Sequence, residues 1–514
     1  MSAAFRISPA LWDKIHHFAS FPQTGVSLQQ MVLFGQHPSQ GTLLKASQFL
    51  AEELPVRLAH RVKELDELPD NLSDMPSICK VKNWYAQSFE ELINFPPVSP
   101  SSAARQSLAH SNQKNTHIYL PESVPNPSLV TSYLDGDGAA GGLAYGEKEG
   151  IVYGGKVVGG TLKGNGNVGG NGNGNANGVC GVRNGNVKLR VPVERRYYAQ
   201  TPSHAYPPEV HDYNARFTKT LDAIKRRHDP TVTTVAQGVL EWQRAKGIKS
   251  GTGVGLGPRY GYGYGGGSGE VQAWLDRFYM SRIGIRFLIG QHVALNTQQP
   301  HKDYVGIICT QANVHDILQE AIENARFVCE DHYAMFRGPP VQLICPPDLT
   351  FAYVPGHLSH IVFELLKNSL RAVVERFGAD YEDRVIKDSG VRGGASAGAG
   401  GGGAGGYPPI KVIVVEGSED ITIKISDEGG GIPRSAIPLI WTYMYTTMAG
   451  QSIDQNFQAG DFQAPMAGFG YGLPLSRLYA RYFGGDLRLI SMDGFGTDVY
   501  IHLNKLSSSR EPLP

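Results

Sequence analysis

Residues 356–377 read GHLSHIVFELLKNSLRAVVERF, and the two faces of this stretch decide the second half of the chain. Leu358, Ile361, Val362, Leu365, Leu366, Ser369 and Val373 recur at three- and four-residue spacing, which predicts a helix with one buried stripe. The polar residues are equally regular. His360, Glu364 and Asn368 stand at i, i+4 and i+8, a nearly straight row, with Lys367 and Arg371 beside it. Taken alone, such a row is a solvated helix face with a His–Glu pair.

Outward from this helix the period shortens. KVIVV at 411–415 predicts a buried strand, and DITIKISD at 420–427 alternates Ile421, Ile423 and Ile425 against Thr422, Lys424 and Ser426, the pattern of a half-buried strand. DLRLISMDGFGTDVYIHL, from 486, predicts a hairpin turning at Asp493, Gly494 and Gly496. Helices against a mixed or antiparallel sheet follow. Asp427, at a strand end, is placed to accept a hydrogen bond from an exocyclic amine such as adenine's, while Gly429 and Gly431 let a ring approach the backbone. The run Gly468, Phe469, Gly470, Tyr471, Gly472, Leu473 opens another apolar-periodic stretch; free N–H groups and the positive end of a helix dipole make such a loop a phosphate cradle. Each segment alone reads equally well as a turn.

The first half is helical in pattern. LWDKIHHFASF, TLLKASQFLAEELPVRLAHRVKELDEL and ICKVKNWYAQSFEELINF are punctuated by prolines at 55, 69, 76 and 96, and helical spacing resumes after 210 and again after 269. Four long helices with lengthened connections predict one antiparallel bundle. The connections hold most of the 63 glycines, in segments 136–185, 247–269 and 390–406, and lack side chains with which to build a core. The expected organisation is a helical domain at 8–335 with disordered insertions at 96–210 and 247–269, then an α/β domain at 340–505 with an insertion at 385–407.

Lys+Arg and Asp+Glu both number 47, which gives no field to favour nucleic acid as a partner. Five scattered cysteines without a CxxC pair argue against a disulfide scaffold or zinc site, and no apolar run approaches a membrane span. The HRD and DFG strings of ordinary protein kinases are missing.

Order and spacing connect the boxes. A polar helix with an asparagine, then D-x-G-x-G-x-P, then G-x-G-x-G, resembles the GHKL ATP-binding fold of histidine kinases, heat-shock ATPases and type II topoisomerases. Longer strings, among them LPVRLAHRVKEL, LDRFYMSRIGIRFLIGQH, HIVFELLKNSLRAVVE and AGFGYGLPLSRLYARYFGGDLRLISMDGFGTD, are similar to the mitochondrial pyruvate dehydrogenase kinases. The resemblance implies a four-helix bundle followed by a GHKL α/β sandwich. It implies a matrix enzyme using ATP and Mg²⁺ to phosphorylate serines on the alpha subunit of the decarboxylating component of the pyruvate dehydrogenase complex. Glu364 would be the general base and His360 its orienting neighbour. Asn368 would bind Mg²⁺, and Asp427 would take the adenine amine. Lys367, Arg371, Thr446, Thr447, Gly429, Gly431 and residues 468–473 would complete the nucleotide site, with 433–467 as a mobile lid.

The resemblance further implies a pocket for pyruvate and its analogues at Tyr85, Ser88, Ile224, His228, Ser281, Arg282, Ile285, Arg286 and Ile289. Lys225 stands where the family commonly has arginine, which is not equivalent to lysine in bidentate geometry. A homodimer through the C-terminal domain and docking on the lipoyl domain of the complex core are implied as well. The sequence closes on HLNKLSSSREPLP with no tryptophan after Trp441, so tail exchange and strong activation by lipoyl domains are not expected. Three other readings stay open: a kinase of the branched-chain 2-oxoacid dehydrogenase complex, a histidine sensor kinase, and a non-catalytic lipoyl-binding scaffold.

Overall fold

Ser8, Ser27 and Ser39 fix where the first three helices begin, since their hydroxyls accept from the backbone N–H groups of Leu11, Gln30 and Thr42, donors that a first helical turn leaves unpaired. The computed structural model describes residues 5–97, 123–126, 206–247, 267–379, 406–447 and 470–513. Among them, helices α1 (Pro9–Phe18), α2 (Leu28–Gly35), α3 (Gln40–Asp66), α4 (Pro76–Ile93), α5 (Pro208–Arg227), α6 (Thr231–Ala245) and α7 (Gly267–Thr297) form the first half. Helix α3 packs on α4, α5 and α7, while α4 packs on α6 and α5 on α7. Pro55 does not break α3 as its place in the sequence suggested. The missing donor and ring clash of an interior proline cost about 3 kcal/mol, and the neighbouring buried Leu54, Val56 and Leu58 offset it.

The second half is built on a sheet of order β3-β5-β6-β8-β7, formed by β3 (Val341–Ile344), β5 (Ile410–Glu416), β6 (Asp420–Asp427), β7 (Asp486–Met492) and β8 (Gly496–Asn504). Strands β3 and β5 are parallel and the other pairs antiparallel. A smaller antiparallel sheet, order β1-β2-β4, joins β1 (Tyr304–Val305), β2 (Ile308–Asn313) and β4 (Thr350–Tyr353). Helix α8 (Val314–His332) packs on α9 (Pro355–Phe377), and α9 on α10 (Gly472–Tyr482) and on β6. Ile421, Ile423 and Ile425 point into this core, as their alternation requires. KVIVV departs from its reading: Val412 and Val414 are buried, but Val415 is 58% exposed. The sheet is therefore covered on one face, and Ile344, Val415, Ile490 and Met492 are exposed apolar residues of its strands.

Two segments tie the halves together. Residues 507–511 return to the helical half, with Ser507 accepting from Gln29 N at 3.0 Å and Glu511 N donating to Val26 O at 3.1 Å. The Glu511 carboxylate, 1% exposed, accepts from Arg57 of α3, from the Tyr482 hydroxyl of α10 and from Val26 N. Gly284 of α7 abuts the same cluster; a Cβ there would lie 2.9 Å from Glu511 Oε2. Ser123–Asn126, inside the stretch read as a disordered insertion, are also pinned: Val124 pairs with Ser509 and Asn126 Nδ2 donates to Arg481 O at 3.0 Å. The remainder of the insertions read at 96–210, 247–269 and 385–407 lies largely outside the described residues. No described helix is long and apolar enough to cross a membrane.

Candidate nucleotide and phosphotransfer site

Helix α9 carries the apolar stripe into the core and turns its polar row toward the start of α10. Glu364 is 7% and Lys367 2% exposed, and their Oε1 and Nζ atoms are 2.9 Å apart. The ion pair joins residues three apart, which face the same side of a helix. The other carboxylate oxygen faces the first residue of α10; a Cβ on Gly472 would stand 2.5 Å from it. His360, one turn earlier, packs edge-on against Tyr479 of α10, ring centroids 5.0 Å apart. Asn368, one turn later, is exposed. The row thus offers a fixed carboxylate with an open amide beside it.

Asp427 ends β6 and is nearly buried. Its Oδ2 accepts from the Ser369 hydroxyl at 2.8 Å and its Oδ1 from Gly429 N at 2.9 Å. Burial raises its pKa above the ordinary carboxylate value, opposed by the hydrogen bonds from Gly429, Ser369 and Thr497. Gly429 lies so close to α9 that a Cβ would collide with Ala372, and Gly431, at φ +73°, would collide with the Met492 carbonyl. The turn can pack this closely on α9 and on β7 only because these positions are glycine.

Gly470, at φ +76°, lies against the backbone of Tyr445, and Leu473 is half-buried in the first turn of α10. Gly468 and Phe469 lie outside the described residues, as does the expected lid beyond Thr447. Tyr471 is buried against Tyr279 of α7 and against Tyr443, with centroids 5.7 and 5.2 Å away. Tyr443 in turn donates its hydroxyl to Asp276 Oδ1 at 2.7 Å and its N–H to Gln272 Oε1 at 2.9 Å, both on α7. Arg371 reaches Thr447 Oγ1 at 3.0 Å, bringing together two residues singled out in the sequence, and Thr446 stands half-buried beside them.

The second constellation assembles between α4, α5 and α7. Tyr85 stacks on His228 at 4.2 Å, and His228 Nε2 is 3.0 Å from Ser88 Oγ. Burial pulls the His228 pKa down to about 3, with Arg227, Arg282 and Arg286 adding to the effect, so its ring is neutral at neutral pH. Arg286 pairs with Asp229 at 2.8 Å and Arg282 donates to the Asp229 carbonyl at 3.4 Å. Ile224, Ile285 and Ile289 are buried in the core, and the buried Ser281 Oγ has no hydrogen-bond partner among the described residues. The Lys225 carbonyl accepts from Arg286 at 3.4 Å.

Sequence reading missed Ser369, Asp276, Tyr279 and Glu511. Ser369 was assigned to the apolar stripe because its spacing is that of a core residue. The others act across elements far apart in the chain, and local pattern carries no signal for them.

A one-sided sheet with a carboxylate and amide on its central helix, an aspartate at a strand end and a glycine turn opening a helix defines an ATPase domain. Residues 353–507 match the family model of the histidine kinase-, DNA gyrase B- and HSP90-like ATPases. Residues 25–309 match the model described as mitochondrial branched-chain alpha-ketoacid dehydrogenase kinase. The chain is 38% identical to a mitochondrial [pyruvate dehydrogenase (acetyl-transferring)] kinase of Schizosaccharomyces pombe over 99% of each chain. It is 35% identical to that of Arabidopsis thaliana, over 98% of this chain and 97% of the other. With isozyme 3 of Homo sapiens the identity is 31%, over 98% and 88%. The chain belongs to the mitochondrial pyruvate dehydrogenase kinase family.

Proposed function

We propose that this chain is an ATP-dependent protein-serine kinase that phosphorylates and inactivates the alpha subunit of the decarboxylating component of the pyruvate dehydrogenase complex. The observation that carries the reading is the Glu364–Lys367 pair, held against Gly472 at the mouth of the phosphate loop. Relatives named for pyruvate dehydrogenase align over nearly the whole chain, which favours that complex over the branched-chain one.

In this reading Glu364 takes the proton of the target serine hydroxyl as its oxygen attacks the terminal phosphorus of ATP, the bond to the bridging oxygen breaks and ADP leaves, while Lys367 keeps the carboxylate aimed. His360 supports the helix turn behind it. Asp427 receives the adenine amine, Gly429 and Gly431 give the ring room, and residues 468–473 offer N–H groups to the phosphates. Arg371, Thr446 and Thr447 border the nucleotide. Among the described residues no three His, Cys, Asp or Glu side chains converge on a metal. The exposed Asn368 side-chain oxygen would help hold a magnesium ion, a hard ion that takes oxygen ligands and keeps several waters. Bound there it would neutralise phosphate charge during transfer.

The units 8–335 and 340–505 follow from the same reading. The packing of α3, α4, α5, α6 and α7 supports a bundle core, and the helices on one face of the sheet support a two-layer sandwich. The exposed Ile344, Val415, Ile490 and Met492 support a homodimer through the sheet, and the buried cluster of Tyr85, His228, Arg282 and Arg286 supports restraint by pyruvate. Lipoyl docking and a mitochondrial matrix location belong to the same proposal.

Incubation with ATP-Mg²⁺ and purified pyruvate dehydrogenase complex tests it. Loss of complex activity together with acid-stable phosphoserine is expected. Acid-labile phosphate would point to histidine phosphorylation, and preference for the branched-chain complex in a parallel assay would point to that substrate.

A further inference from the structure

One stripe of α9 holds the whole turn that follows Asp427. Ser369, Ala372 and Arg376 are three and four residues apart and share a face. Ser369 bonds the Asp427 carboxylate, and Ala372 leaves the space that Gly429 fills. Arg376, in the last turn, donates Nη1 to the Glu428 carbonyl at 2.7 Å and to the Phe495 carbonyl at 2.6 Å, and Nη2 to the Gly494 carbonyl at 3.1 Å. The two turns so bridged also bond each other: Gly430 N donates to Phe495 O at 3.1 Å and Gly494 N to Gly430 O at 2.8 Å. A planar guanidinium with five donors in fixed directions can span three carbonyls; a single ammonium cannot reproduce that geometry.

We propose that Arg376, acting with Ser369, is a positioning residue for purine recognition. It fixes the distance between the Asp427 carboxylate and the Gly429–Gly431 backbone, and so selects a base that presents an exocyclic amine over one that presents a carbonyl there. The inference rests on the reading of Asp427 as the adenine acceptor. Arg376 is remote from Glu364, three turns along the helix, so its loss acts on nucleotide affinity and choice rather than on transfer.

The test is steady-state kinetics of the full chain with ATP and with GTP, alongside ADP binding and thermal melting, for Arg376→Ala, Arg376→Lys, Ser369→Ala and Asp427→Ala. Arg376→Ala should raise KM for ATP about tenfold, the scale of losing charge-assisted hydrogen bonds, with kcat retained and the ATP-to-GTP preference reduced. Arg376→Lys should fall between it and the parent. If Arg376→Ala does not fold, Arg376→Lys and Ser369→Ala decide, each with raised KM and narrowed base preference. Parent-like KM and base preference in these variants, while Asp427→Ala loses both, would overturn the proposal and leave the adenine reading standing. An unchanged KM in Asp427→Ala would remove the adenine reading itself, and this inference with it.

Discussion

Glu364 and Lys367 form a nearly dry ion pair within one helix, 2.9 Å from Oε1 to Nζ, at the point where α9 meets the first residue of α10. Glu364→Gln keeps the shape and removes the base. Its kcat should fall by about 10²–10⁴, the usual contribution of a general base, while ADP affinity stays near that of the parent. Nucleotide titration beside the phosphoserine assay checks this; full activity with intact binding would remove Glu364 from the role.

Gly472 and Gly470 fail differently when given a methyl group. At Gly472 the new Cβ would stand 2.5 Å from Glu364 Oε2, so Gly472→Ala should displace the carboxylate and lower kcat more than it lowers stability. Gly470 sits at φ +76° against the Tyr445 backbone, so Gly470→Ala should cost stability, about 1–2 kcal/mol from the left-handed conformation alone. Paired kinetics and urea unfolding separate the two.

His228 and His292 make stability fall in acid. Burial lowers their pKa values from 6.5 to about 3 and about 4. Between these values and 6.5 the unfolded chain binds protons that the native state does not, so stability rises with pH across the window and is lost as pH drops through it. The slope is about 1.4 kcal/mol per pH unit for each histidine. Urea unfolding from pH 7 to pH 4.5 should show it, and His292→Gln should flatten the curve; an unchanged slope would contradict the burial argument.

Arg57 and Glu511 are a buried pair drawn from opposite ends of the sequence. Glu511→Ala should destabilise by about 1–3 kcal/mol, because the buried Arg57 guanidinium loses one of its two carboxylates and keeps Glu53 at 2.9 Å. Replacing the whole cluster, as Glu53→Gln with Arg57→Met and Glu511→Leu, should cost much less than Arg57→Met alone, which leaves both carboxylates buried without their cation. A melting curve for each variant decides, and equal losses in Arg57→Met alone and in the triple variant would argue against the cluster.

Arg282→Ala should abolish any inhibition of the kinase by pyruvate, measured as residual activity at saturating pyruvate. Asp229, already bonded to Arg286, competes with an incoming carboxylate for the same cation. Asp229→Asn should therefore strengthen the inhibition.

The sequence carried the second half well where a side chain's role depends on its own element. The stripe from Leu358 to Val373, the alternation of Ile421, Ile423 and Ile425 and the turn at Asp493 and Gly494 all appear as read. What escaped it lies between elements. Lys367 lies beside the polar row in the sequence, yet its pairing with Glu364 rests on a burial that local spacing does not reveal. Val415 looked buried because an apolar run does not say which face of a sheet is covered. Glu511 could not be foreseen, since its partners Arg57 and Tyr482 belong to helices with no local relation to it.

Helix α7 is one rod of 31 residues. It bears Arg282 and Arg286 beside Asp229, Asp276 and Tyr279 against Tyr443 and Tyr471, and Gly284 against Glu511. If the proposed anion and nucleotide sites are coupled through this rod, the exchange of free energy runs equally in both directions. Whatever factor an anion in the helical pocket adds to nucleotide affinity, the nucleotide must return to the anion, so titrating ADP with and without pyruvate measures both halves of that linkage in one experiment.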